Sequence, residues 1–300
     1  MELFLEIKVQ VWGPEPAESA GSESPSQVSP TSSRRYMWSV FCLALLPLGL
    51  VAQSTTYALI DSFSTQSVFF TVDRLQQLYE IDSSGILTKY APEGNVQFTY
   101  SNQSLGDLAL TDATDPFNVL LYYPEYQSVI LLDRTLSPTA ELNLLSLGLI
   151  DVQLMAMSND QHIWMYDQAT FKLYKIDPRG KINLESGDLS LMLAHPPLAR
   201  QLIVQNNFVY LFAPEQGLFQ FDSFGQYLRT IDLKPAGKVQ LIDQKIFYLS
   251  NPQQLRIYDF VSFRESSLDL PAPLKNFHWQ KGLLYGQSKE KIWVWVLKER

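Results

Sequence analysis

Aspartate is the residue whose spacing most invites a chemical reading. Asp82, Asp133, Asp177, Asp222 and Asp259 recur along the chain at intervals of 51, 44, 45 and 37 residues. Carboxylates at corresponding places in a repeat could share a divalent cation or divide acid–base work. Their neighbours argue for another task. Asp82-Ser83-Ser84-Gly85, Asp177-Pro178-Arg179-Gly180 and Asp222-Ser223-Phe224-Gly225 are turn sequences. In such turns Asp accepts from backbone N–H groups further on, and Gly takes a positive φ. The histidines offer no more. His162, His195 and His278 are far apart, and none has a second His or a carboxylate at ligand spacing. There is no Asp-x-Asp-x-Asp-Gly calcium loop, no phosphate-binding Gly-rich loop and no Gly-x-Ser-x-Gly elbow. No catalytic residue, metal ligand or cofactor is therefore assigned.

The elements around these residues are short strands. From residue 55 onward, runs rich in Val, Ile, Tyr, Phe and Trp alternate with Gly, Pro, Asn, Asp and Ser, with no convincing amphipathic helix. The runs come in pairs. Phe208–Phe212 passes through Ala213–Gly217 into Leu218–Phe221, then Asp222–Gly225 and Tyr227–Ile231. The same order appears at His162–Tyr166 with Lys172–Ile176, at Val119–Tyr123 with Val129–Leu132, and at Lys245–Leu249 with Leu255–Tyr258. An early copy reads Val68–Val72 with Leu78–Ile81, and a last one Leu283–Tyr285 with Ile292–Val296. Upstream of the pairs lie further alternating runs: 107–110, 152–156, 201–204 and 239–242. Repeats of about 40–50 residues, each a small antiparallel sheet, predict a β-propeller, because one such sheet cannot hide both faces alone. Six blades are expected, with five to seven fitting the count. The sixth lacks an outer strand, and Thr56–Ile60 is expected to supply it and close the ring.

Propellers place functional groups on loops around the central tunnel, near the ends of the inner strands. Asp107, Asp151, Arg200, Lys238 and His278 fall at such places. Their mixed charge would suit a polar ligand or a peptide.

Phe221–Ile231 resembles the end of an NHL repeat, the unit of six-bladed propellers, and Ile176–Ile182 and Ile81–Leu87 are looser copies. The chain is thus similar to the NHL-repeat and TolB-like group and to exported propellers of Gram-negative bacteria. The resemblance implies the fold and brings no assigned activity.

The amino-terminal residues read differently. Residues 1–36 are a leader, mostly Gly, Pro, Glu, Ser and Thr from 11 to 33, which cannot offset its ordering entropy. After Arg34 and Arg35 comes an uncharged apolar stretch, and 37–52 is expected to be a secretory signal peptide with Ala52 before the cut. Residues 55–300 form the single propeller domain. With 46% apolar and 13% aromatic residues the chain can build a core, and its net charge of -8 argues against a nucleic-acid partner. A lone cysteine forms no internal disulfide. These features suggest an exported, non-enzymatic binding or scaffolding module with a protein partner, in the periplasm, outer envelope or cell exterior. No transmembrane span is expected after signal removal. The alternatives are a metal-dependent hydrolase, lactonase or lyase with its site in the tunnel, or a glycan-binding propeller.

Overall fold

The computed structural model describes residues 56–298. The expected leader and signal peptide lie outside the described residues. The described residues open with β1 (Thr56–Ser64). Blade 1 follows as β2 (Ser67–Val72), β3 (Leu78–Asp82), β4 (Leu87–Tyr90) and β5 (Val96–Tyr100). Blade 2 is β6 (Leu110–Asp112), β7 (Val119–Tyr123), β8 (Ser128–Leu132) and β9 (Pro138–Asn143). Blade 3 is β10 (Val152–Met157), β11 (Ile163–Asp167), β12 (Lys172–Ile176) and β13 (Ile182–Glu185). Blade 4 is β14 (Gln201–Gln205), β15 (Phe208–Ala213), β16 (Gly217–Phe221) and β17 (Tyr227–Ile231). Blade 5 is β18 (Val239–Ile242), β19 (Lys245–Asn251), β20 (Gln254–Asp259) and β21 (Arg264–Asp269). Blade 6 is β22 (Asn276–Gln280), β23 (Leu283–Ser288) and β24 (Lys291–Lys298), completed by β1. β1 runs antiparallel to β24 from Thr56↔Lys298 to Ser64↔Lys291, with a bulge between Leu59 and Asp61. The protein is an all-β, six-bladed propeller closed by its first strand.

The apolar pattern explains why the sheets stack in a ring. Along β15, Val209, Leu211 and Ala213 pack toward blade 3, while Tyr210 and Phe212 pack toward blade 5. Both faces are buried, so the second strands read as unbroken apolar runs instead of alternating ones. Six apolar clusters result, one at each seam between neighbouring blades. The outermost strands β5 and β21 turn mostly exposed residues to water.

Each seam also carries a polar pin. Lys89 Nζ donates to Arg134 O at 2.8 Å between blades 1 and 2, and Met157 N donates to Asp112 Oδ2 at 2.8 Å between blades 2 and 3. Tyr166 Oη donates to Pro197 O at 3.1 Å, tying blade 3 to the loop that leads into blade 4. The Gln201 amide binds Val239 O and N, and the Gln240 amide binds Trp279 O and N, across the next two seams. Gln287 Nε2 donates to Ser67 O at 2.8 Å where the ring closes.

The recurrent aspartates shape turns. Asp177 Oδ1 accepts from Arg179 N and Lys181 N at 2.8 and 3.0 Å, and Asp222 Oδ1 from Phe224 N and Gln226 N at 2.9 and 2.8 Å. Asp133 does the same with Thr135 and Ser137. One member of the series is displaced. Asp133, Asp177, Asp222 and Asp259 follow or end the third strand of their blades, but Asp82 ends the second strand of blade 1. The run Val68–Val72 lies in the inner strand β2, one strand earlier in its blade than its counterpart Phe208–Phe212. The equivalent turn in blade 1 starts at Ala91, whose carbonyl accepts from Gly94 N at 2.9 Å. Ala91 to Asp133 is 42 residues, so the long first interval reflects a misaligned register and no insertion.

Candidate functional site in the central channel

The inner strands β2, β6, β10, β14, β18 and β22 surround the channel. Lys238, immediately before β18 of blade 5, sends its side chain across it. Its Nζ lies 4.6 Å from the ring centroid of Phe69 on β2 of blade 1. Its charge is felt by His278 on β22 of blade 6, and it feels Asp112 at the end of β6 in blade 2, the blade opposite. A side chain in reach of blades 1, 2 and 6 from blade 5 has its ammonium near the axis. Desolvation pushes the Lys238 amine down, and the Asp112 carboxylate opposes this only in part. Water still reaches the side chain through the channel, as its exposure shows. Among the described residues Lys238 makes no hydrogen bond and no ion pair.

His278 sits deeper. Burial first, then the Lys238 charge, push its imidazole down to about 3, so the ring is neutral at ordinary pH. Its tautomer follows from the neighbouring pin. Gln240 Oε1 accepts from Trp279 N at 2.7 Å, so the amide NH2 must face Trp279 O at 2.9 Å and His278 Nε2 at 3.3 Å. Nε2 is therefore the acceptor and Nδ1 carries the proton. Asp112 is held in place, since Oδ1 accepts from Thr114 N at 2.9 Å and Oδ2 from Met157 N.

Of the five residues singled out from sequence, the channel brings Lys238 and His278 together. Asp107 is exposed in the loop before β6. Asp151 precedes β10; its carboxylate accepts from Gln153 Nε2 at 2.9 Å and its carbonyl from Gln168 N at 3.0 Å. Arg200 is exposed before β14 and donates its backbone N–H to Phe212 O at 2.8 Å. These three lie on the between-blade loops and make no contact with the Lys238–His278 pair. Phe69, Asp112, Gln201 and Gln240 were missed. The signal for the glutamines was their recurrence near the start of the inner strands 201–205 and 239–242, on strands whose inner edge has no further strand to pair with.

Replacing Gln240 by Ala leaves Trp279 N–H and C=O and His278 Nε2 without their partner. The expected cost is about 1–3 kcal/mol, toward the lower end because channel water can replace part of the bonding. A lower urea midpoint with unchanged m would register it; an unchanged midpoint would show that the pin is idle.

His162 is otherwise engaged: Nδ1 contacts Asp160 O at 3.0 Å and Nε2 contacts Asn183 Nδ2 at 2.7 Å. Beside it, Lys175 Nζ lies 2.5 Å from Asp160 Oδ2. Desolvation opposes ionisation of Asp160, but hydrogen bonds from Lys175 and Ser158 outweigh it and hold the carboxyl at about 2. Among the described residues, no three His, Cys, Asp or Glu side chains come together as a metal site.

A second feature occupies the face that carries the between-blade loops. Tyr126, Leu145, Ile150, Leu191, Met192 and Leu198 are all exposed there, Leu191 at 84% and Leu198 at 71%. The loops that hold them are laced to one another. Leu144 N donates to Gln127 O, Gln168 N to Asp151 O, Leu189 N to Phe171 O, and Leu198 N to Gln216 Oε1. The one-turn helix α1 (Leu189–Met192) is capped by Asp188, which accepts from Ser190 N at 2.8 Å. Leu189 is fully buried and anchors the turn, leaving Leu191 and Met192 outside. These apolar side chains are therefore displayed on a braced surface extending over blades 2 to 4.

No protein-family profile matches the chain, and no curated protein matches its sequence. Solved structures do match in shape. BamB from Moraxella catarrhalis is similar over 82% of this chain and 99% of its own, with a TM-score of 0.50 and 11% identity. Virginiamycin B lyase from Staphylococcus aureus is similar over 81% of this chain and 100% of its own, with a TM-score of 0.54 and 9% identity. At such identity the likeness establishes the propeller class and nothing finer. No helix among the described residues is long and apolar enough to cross a membrane.

Proposed function

We propose that the protein is an exported, non-enzymatic binding platform that docks a protein partner on its between-blade face. The observation that carries this reading is the arc Tyr126, Leu145, Ile150, Leu191, Met192 and Leu198. Exposed apolar side chains gathered on one face of a braced scaffold are what interaction sites look like. The partner surface that fits is itself apolar, since the arc presents no charge of its own. Export rests on the uncharged stretch of 37–52 behind Arg34 and Arg35.

The test uses a photo-crosslinking residue at Leu191 in the native cell, with one at Phe224, in a turn on the opposite face, as its counterpart. One defined adduct forms at Leu191 and not at Phe224. With the crosslinker kept at position 191, Ile150→Glu with Leu198→Glu lowers its yield at least about tenfold, while Phe263→Glu leaves it unchanged. Equal labelling of both faces, or an adduct indifferent to the double variant, overturns the docking face.

A further inference from the structure

The channel holds donors that lack acceptors. Lys238 presents three N–H groups with no acceptor among the described residues, and its Nζ sits over the Phe69 ring, 4.6 Å from the centroid. His278 presents Nδ1–H, because Nε2 is committed to Gln240. The carboxylate whose charge Lys238 feels, Asp112, makes no hydrogen bond or ion pair with it and instead accepts from Thr114 N and Met157 N. An ammonium seated on an aromatic ring and a nearby imidazole N–H whose protonation its charge opposes, neither with a protein acceptor, are complementary to an anion with an apolar part.

The geometry points to a binding site for a small organic monocarboxylate in the central channel, its oxygens on Lys238 Nζ and His278 Nδ1–H and its apolar part against Phe69. This site goes beyond the docking face and does not depend on it. A carboxylate supplies the counter-charge that Lys238 lacks, through the stronger, charge-assisted class of hydrogen bond. Asp112 sets the limit on ligand charge: its fixed negative charge repels a dianion more than a monoanion.

The experiment is a calorimetric titration of the full chain with benzoate, acetate and inorganic phosphate near neutral pH. Benzoate binds saturably at one site per chain, acetate more weakly for want of a ring to place on Phe69, and phosphate more weakly than benzoate. Lys238→Met weakens benzoate at least about tenfold, whereas Lys234→Met, in the same loop and exposed, does not. A second readout needs no variant. In the unaltered protein, benzoate slows acetylation of Lys238 by an amine-directed reagent, seen by peptide mass, and leaves Lys234 unprotected. Failure of benzoate to bind or to protect Lys238, phosphate binding tighter than benzoate, or full affinity in Lys238→Met each overturns the assignment.

Discussion

A chain that begins after Ser64 is expected to aggregate instead of folding cooperatively. β1 is the outer strand of blade 6 and pairs with β24 along its whole length. Without it, β24 would show a free edge carrying Trp293, Val294 and Trp295. Such an edge, long and apolar, is a template for pairing with other chains. The loss extends inward. Tyr57 packs with the seam between blades 5 and 6, and Phe63 with the seam between blades 6 and 1. Blade 6 would keep three strands, with both neighbours weakened on the same side of the ring. Net stabilities of about 5–15 kcal/mol leave little margin for losing an eight-rung ladder and two packed aromatics together. Size-exclusion chromatography and urea unfolding of the truncated chain check this. A monomer with a sharp, barely shifted transition would show that the ring closes without its first strand.

Acidification from pH 6.5 to 4.5 should destabilise the protein through His278 in particular. Its folded imidazole resists protonation down to about 3, because it is buried and faces the Lys238 charge. The unfolded chain takes up that proton near pH 6.5. Full stability from this source is therefore present above pH 6.5 and falls as pH drops toward 3. One proton is worth about 1.4 kcal/mol per pH unit, so the two-unit interval could cost up to about 2.5 kcal/mol, less whatever channel water screens. Asp73 and Glu80 act in the opposite sense, since burial raises both carboxyls and they bind protons earlier when folded. The informative quantity is thus the difference between the parent and His278→Gln. Urea midpoints across this range should fall more steeply in the parent. Parallel slopes would mean that the imidazole titrates as if in water.

Much of the architecture was legible because each blade buries both faces. Unbroken runs such as Val119–Tyr123 and Phe208–Phe212 have few other homes. The inner runs 152–156, 201–204 and 239–242 were legible from their alternation upstream of each pair. Blade 1 misled because β2 carries Phe69, Phe70 and Val72, a composition typical here of a second strand. Its true third-strand turn begins at Ala91, which offers no side-chain acceptor, so the Asp that marks the other blades is missing from it. In the second blade, strand structure starts at Leu110, leaving Asp107 on the loop.

The channel was half legible. Lys238 and His278 stand out as charged or titratable residues near the ends of inner strands. Phe69 does not, since an aromatic in a strand is ordinarily core, and it is in fact partly packed on the seam of blades 1 and 2. Gln201 and Gln240 look like surface residues until the inner-strand edge is considered. There no fifth strand exists to satisfy backbone groups, and a neighbouring amide serves in its place. The apolar arc was invisible for another reason: its members are scattered over residues 126–198, and only the loop lacing gathers them.

The pairing of Thr56 with Lys298 also fixes how the ring responds to force. Both tails of the described fold leave from the same end of one ladder, on the side away from the between-blade loops. Pulling them apart loads the rungs one at a time, starting at Thr56–Lys298, so β1 unzips in sequence where a shear pull would strain all rungs together. The ring is stiff under compression across its blades and opens at a single clasp under tension.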